Sequence, residues 1–127
     1  MRYLLDTHTF LWYFADSNSL SETAANIMED EYLQKYVSMA SLWEFSIKLS
    51  MGKLQFEGGL SQLLNIMTQN GFVIWPITQS HLMGIINLPF IHRDPFDRLI
   101  VATAKMDGMT IVTVDENIYK YGVSCVW

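Results

Sequence analysis

Apolar runs of strand length alternate along this chain with amphipathic stretches of helix length, and no hairpin signal joins one apolar run to the next. Strands separated each time by a helix run the same way, because the helical crossover returns the chain to the end where it started. The order therefore predicts an α/β fold, a three-layer sandwich with a central, mainly parallel sheet flanked by helices. Expected strands cover residues 2–5, 35–39, 54–56, 72–75, 110–114 and 124–126. Expected helices run from Thr7 or Thr9 to about Phe14, over 19–30, from 42 to about 51 behind a Ser41 cap, over 60–68, from Thr78 or Ser80 to about Leu88, over 95–107 with Pro95 in the first turn, and over 116–121.

Half of the residues are hydrophobic and only 17% are charged, so the 127 residues are expected to form one domain whose core needs neither disulfide nor structural metal. Cys125 has no second cysteine to pair with and no metal-ligand neighbour, and is expected as a small buried hydrophobe. Asp6 comes too early for a secretory signal and no apolar stretch has the length of a membrane span, so the expected location is the cytoplasm, away from any membrane.

A net charge of −5 argues against a general nucleic-acid binder, which usually carries an excess of Lys and Arg. The positions of the acids change that argument. Ligands of an open parallel sheet bind beyond the carboxyl ends of the strands, and Asp6 and Asp115 each end an expected strand there. Glu44 lies one turn into the helix that follows 35–39, and Asp97 lies in the first turn of 95–107. Four carboxylates are thus expected to converge. Gathered like charges raise each other's pKa and stay ionised only beside a cation, and oxygen donors of this kind suit Mg²⁺ or Mn²⁺. Such an ion binds a phosphate oxygen, acidifies an attacking water and stabilises a leaving oxygen, which is the chemistry of phosphodiester hydrolysis. The three histidines, His8, His81 and His92, lack the ligand spacing of a zinc hydrolase. With the four acids assigned to a metal the rest of the chain is nearly neutral. Lys48, Lys53, Arg93, Arg98 and Lys105 lie in the segments that supply Glu44 and Asp97, so an anionic substrate is not excluded.

The blocks LLDTHTFLW, SLWEFSIK followed by GKL, HRDPFDRLIVATA and TVDENI, in that order, resemble the PIN-domain ribonucleases, in particular the VapC-type toxins of bacterial and archaeal toxin–antitoxin pairs. The resemblance covers nearly the whole chain and implies a single PIN domain over residues 1–127 with a PIN-like sandwich fold. It also implies a Mg²⁺- or Mn²⁺-dependent endoribonuclease acting on RNA, inhibited by a small cognate antitoxin (VapB-like) and usually a homodimer. Matched residue by residue, the first family acid falls on Asp6, the second on Glu44 within Trp-Glu-Phe, the third on Asp97 before Arg98-Leu-Ile, and the fourth on Asp115.

Each assignment has a plainer counterpart. Asp6 is expected as a direct metal ligand, against a helix N-cap. Asp97 is likewise expected as a ligand, against a first-turn acid favoured by the helix dipole, and its competitor Asp94 is expected to cap that helix. Glu44 is expected to hold a second cation or orient the water, against pairing with Lys48 one turn on. Asp115 is expected to act through water or a second metal, against capping the helix at 116, with Glu116 as its nearest substitute. The hydroxyls of Thr7, Ser41 and Thr113 are candidates to hold carboxylates in place, and Lys48 and Arg98 to bind phosphate. Phe10, Trp12 and Trp43 are expected in the core rather than stacked on bases. Eight methionines and the aromatic residues offer apolar surface for the antitoxin, or simply fill the core.

Competing functions fit less well. A haloacid-dehalogenase-type phosphatase needs a second Asp two residues after the first, where this chain has His8, and a receiver domain needs an acceptor Asp between Glu44 and Asp94. The remaining alternatives are a catalytically weak PIN-like binding module acting through a partner protein, and a related DNA nuclease.

Overall fold

The structure, a computed structural model, describes residues 1–15 and 17–127. Among these residues five strands form one sheet: β1 (Arg2–Leu5), β2 (Gln34–Ser38), β3 (Val73–Trp75), β4 (Thr110–Val112) and β5 (Cys125–Val126). The helices are α1 (Thr7–Phe14), α2 (Glu22–Glu29), α3 (Met39–Ser50), α4 (Gly59–Gln69), α5 (Gln79–Ile86), α6 (Pro95–Asp107) and α7 (Glu116–Tyr119). The sheet order is β3-β2-β1-β4-β5 and every pairing is parallel. This is the three-layer α/β architecture the alternation predicts.

β1 sits at the centre because it is apolar on both faces. Side chains alternate along a strand, so Leu4 enters one core with Ile100, Val101, Ile111 and Ile118, while Leu5 enters the other with Val37, Phe45, Leu63 and Val112. Helices α1 to α4 cover the Leu5 side, and α6 and α7 cover the Leu4 side. The register sets Leu5 opposite Val37 on one neighbour and opposite Val112 on the other, so three strands finish on one line.

Local signals explain most element ends. Asp94 caps α6, with its Oδ1 accepting from the backbone N–H groups of Phe96 and Asp97, and Pro95 takes the first helical position. Gly108 ends the helix at φ +67°, a left-handed conformation that glycine adopts without a Cβ penalty. Thr78 and His81 form a reciprocal capping box on α5.

Five expectations are corrected. The cap of α3 is Ser38, whose Oγ accepts from the Ala40 N–H at 3.0 Å, so the helix starts before Ser41. The cap of α2 is Ser21, which accepts from the Ala24 N–H, so no helix covers 19–21. Residues 54–56 form no strand: Leu54 and Phe56 pack as half-buried covers on the core, Phe56 edge-on to Phe45 at 5.6 Å. β4 stops at Val112, and α1 is headed by Asp6 rather than by Thr7 or Thr9.

A polar cluster crosses the Leu4 side. The Asp107 carboxylate receives the Trp75 indole N–H at 2.7 Å and meets His81 Nε2 at 2.6 Å, while Arg2 donates to the Asp107 carbonyl. One acid thereby joins β1, β3, α5 and α6. Among the described residues no helix is long and apolar enough to cross a membrane.

Leu63 is fully buried and anchors α4 to the core beside Met67. Leu63→Ala is expected to lower unfolding free energy by about 2–5 kcal/mol, read as a fall in the urea midpoint without a change in slope.

Candidate active site

The common end line of β1, β2 and β4 decides where the chain's acids arrive. Asp6 follows Leu5 directly and donates its backbone N–H to the Val112 carbonyl at 3.2 Å, so the first turn beyond β1 is stitched to the end of β4. Its backbone occupies the cap position of α1, but the side chain makes no capping bond. Instead Asp6 Oδ2 accepts from Thr113 Oγ1 at 2.8 Å. The same Thr113 oxygen accepts the Asp115 N–H at 3.0 Å, so one hydroxyl ties two acids together.

Glu44 projects from α3 and is buried. Its Oε1 accepts from Thr7 Oγ1 at 2.8 Å, and its Oε2 meets Lys48 Nζ at 2.9 Å. The pairing with Lys48 one turn on is therefore real, yet it holds a buried carboxylate rather than a solvated one. Asp97 stands in the first turn of α6 with its Oδ2 3.1 Å from His92 Nε2. Asp115 caps α7 through Oδ1 on the Asn117 N–H, the plainer of its two expected uses.

The electrostatics show that these acids share one field. Asp97 is pushed from an ordinary 3.8 up to about 8, first by burial and then by the negative charges of Asp6, Asp94, Asp115 and Glu44. Burial also raises the pKa of Asp6; the Thr113 hydrogen bond and His8 pull it back, and Asp115 pushes it further up. Asp107, at the other end of α6, is the internal contrast. Burial alone would raise its pKa, but the bonds from Trp75 and His81 and the charges of His81 and Arg2 hold it below the ordinary range. One end of the helix carries a compensated acid and the other an uncompensated one.

Other expected residues fall differently. Ser41 holds no carboxylate: it is buried inside α3, and among the described residues its hydroxyl has no hydrogen-bond partner. Arg98 is no free phosphate ligand, because its buried guanidinium donates to the Pro89 carbonyl and to Tyr121 Oη and lies 4.2 Å from the Phe90 ring. Asp94 is spent on its cap, and Glu116 is exposed. Phe10 is core as expected, Trp12 is half-buried against Trp127, and Trp43 departs from expectation by standing 55% exposed, edge-on to Phe96. From the sequence His92 reads only as a histidine without zinc-ligand spacing, and its contact with Asp97 emerges in the fold. Its place five residues ahead of Asp97 in the same block was the available signal; its second partner, Tyr121, had none.

Among the described residues no three of His, Cys, Asp and Glu form a ready metal cage. The donors are nonetheless all carboxylate oxygens, and the raised pKa of Asp97 marks them as short of compensating positive charge, a set that fits a hard divalent cation.

The sequence pattern of the PIN domain matches residues 3–123. The chain belongs to the PIN-domain family. PIN domains are nucleases, hydrolases that act on nucleic acid. This PIN domain shares its fold with VapBC2 from Rickettsia felis bound to a DNA fragment from their promoter, at a TM-score of 0.76 and 17% identity over 99% of this chain and 98% of that one. DNA-bound VapBC from Salmonella typhimurium gives a TM-score of 0.72 at 14% identity over 99% and 97% of the two chains, and FitAcB from Neisseria gonorrhoeae gives 0.67 at 18% over 98% and 96%. No curated protein matches the sequence.

The raised pKa of Asp97 sets a pH dependence in the metal-free PIN domain. The folded chain keeps a proton there that the unfolded chain releases, so this contribution to stability is complete below about pH 4 and is lost as pH rises through about 8. Asp97→Asn is expected to match the wild type in urea at or below about pH 4 and to exceed its midpoint by a margin that grows up to about pH 8. Equal midpoints at the higher pH would show that Asp97 carries no such burden.

Proposed function

We propose that this PIN domain is the toxin of a toxin–antitoxin pair, a Mg²⁺- or Mn²⁺-dependent endoribonuclease that hydrolyses RNA phosphodiester bonds. The observation that carries the reading is that Asp6, 91 positions earlier in sequence, lies near enough to Asp97 for its charge to raise the Asp97 pKa, together with Asp94, Asp115 and Glu44. Asp6 and Asp97 are the residues that would hold the cation, with Glu44 and Asp115 beside them. A divalent ion bound there supplies positive charge to the scissile phosphate and acidifies the attacking water.

The chain's own residues prepare the site. Thr113 holds the Asp6 carboxylate from one side and the start of α7 from the other, so Asp6 and Asp115 move together. Thr7 and Lys48 occupy one oxygen each of Glu44 and set its direction. Lys48, partly exposed at the rim, is the basic side chain placed to meet a phosphate.

The toxin assignment and the antitoxin partner draw support from the solved neighbours, which include a toxin–antitoxin complex from Klebsiella pneumoniae as well as the VapBC and FitAcB assemblies. An apolar cavity of about 240 Å³ lined by Met39, Leu42, Trp43, Leu60, Leu64 and Ile74 lies on the α3 and α4 side and suits such a partner. A homodimer in the cytoplasm completes the reading.

Asp6→Asn is expected to abolish Mg²⁺-dependent RNA cleavage while keeping the fold, since an amide oxygen still accepts from Thr113. Purified protein, end-labelled RNA and matched DNA, and circular dichroism test this together. Wild-type cleavage by the folded variant, or cleavage of DNA alone, would overturn the assignment. Because the attack uses water and not the ribose 2′-hydroxyl, products are expected to carry 5′-phosphate and 3′-hydroxyl ends. Cyclic 2′,3′-phosphate ends would refute that mechanism.

A further inference from the structure

We propose that His92 is the positioning residue of Asp97, and that Arg98, acting through Tyr121, fixes which ring nitrogen of His92 carries the proton. The inference rests on Asp97 as a cation-holding residue of the proposed nuclease. Three contacts make a chain: Arg98 Nη1 to Tyr121 Oη at 3.0 Å, Tyr121 Oη to His92 Nδ1 at 2.7 Å, and His92 Nε2 to Asp97 Oδ2 at 3.1 Å.

The direction of this chain follows from its first member. A guanidinium only donates and stays charged in proteins, so Tyr121 Oη must accept from Arg98. That leaves Tyr121 one proton to give. Its nearest acceptor is His92 Nδ1 at 2.7 Å, since the His92 carbonyl lies at 3.5 Å. An Nδ1 that accepts carries no hydrogen, so the ring proton sits on Nε2 and is donated to Asp97. With Nδ1–H donating instead, Tyr121 Oη would have to accept from Arg98, from the ring and from the His92 backbone N–H at 3.4 Å, and its own proton would be left with the His92 carbonyl at 3.5 Å.

Packing holds the chain still. Arg98 and Tyr121 are buried, Arg98 is clamped between the Pro89 carbonyl and the Phe90 ring, and His92 lies against Tyr121 with ring centroids 5.5 Å apart. Tyr121 stands just beyond α7, whose first turn begins after Asp115, so the same contacts join the Asp97 arm of the site to the Asp115 arm. Among the described residues Asp97 Oδ2 receives only this side-chain donor, and Oδ1 receives none. His92 therefore orients the carboxylate while leaving its other oxygen free.

The first test reads the ring itself. Long-range proton–nitrogen correlation spectra of the metal-free, histidine-labelled protein at neutral pH are expected to show His92 as the Nε2–H tautomer, and Tyr121→Phe, which removes one oxygen and keeps the ring, is expected to lose that single pattern. An Nδ1–H or doubly protonated His92 in the wild type overturns the proposal. The second test is calorimetric Mn²⁺ binding. His92→Leu and Tyr121→Phe are expected to weaken Mn²⁺ by about 10–100-fold, and His92→Gln, whose amide can donate near the Nε2 position, to recover most of the loss. Wild-type affinity in both weakened variants, with their fold intact, overturns the positioning role while the nuclease reading stands. If Mn²⁺ binds wild type and Asp97→Asn equally, the cation assignment itself fails and takes the positioning role with it, while the tautomer pattern still reports whether the chain runs as drawn.

Discussion

The parallel register that sets Leu5 level with both Val37 and Val112 governs where charge collects in this molecule. Strands ending on one line deliver the next residues to one place, and in this chain those residues include Asp6 and Thr113. The two apolar cores make the register costly to change, because a one-residue slip of β1 would exchange Leu4 and Leu5 between them. Hydrophobic packing thus dictates where the acids and hydroxyls of the candidate site stand.

Acids so gathered work against folding, and the surroundings show how the molecule contains that tension. Hydroxyls from Thr7 and Thr113 donate to Glu44 and Asp6, Lys48 adds one positive charge, and Asp97 remains the least compensated member. α6 is informative because its two ends answer the same problem in opposite ways. Asp107 is neutralised by groups the protein owns, whereas burial and acidic neighbours leave Asp97 with its pKa raised. Unrelieved charge of this kind clusters at functional sites more than at structural ones.

Much of this was readable in the sequence, for definite reasons. The strands at 2–5 and from residue 110 announce themselves through adjacent apolar residues, Leu4-Leu5 and Ile111-Val112, which burial on both faces demands. Gly108, Pro95 and Asp94 mark the ends of α6 through backbone chemistry that is local and therefore visible. The misreadings are tertiary. Met39 and Ala40 suit a strand end as well as a helix start, and only the Ser38 cap settles which they join. Leu54 and Phe56 have strand-like spacing but pack as a lid on Phe45. Arg98 reads as free to bind phosphate because its partner Tyr121 comes from beyond the next strand, and the His92 contact with Tyr121 is hidden for the same reason. Trp43 has core chemistry and a surface position, which no periodicity within one helix reveals.

The Asp107 cluster has a bearing on the border of the sheet. β3 is an outermost strand of only three residues, a position from which unpaired backbone groups invite foreign chains to add on. Its last residue, Trp75, is pinned by its indole to the same carboxylate that binds a fully enclosed imidazole. Peeling β3 away would strip a bond from that carboxylate and bare more of an indole ring to water, so this three-residue border strand is held on the sheet by more than its own few backbone bonds.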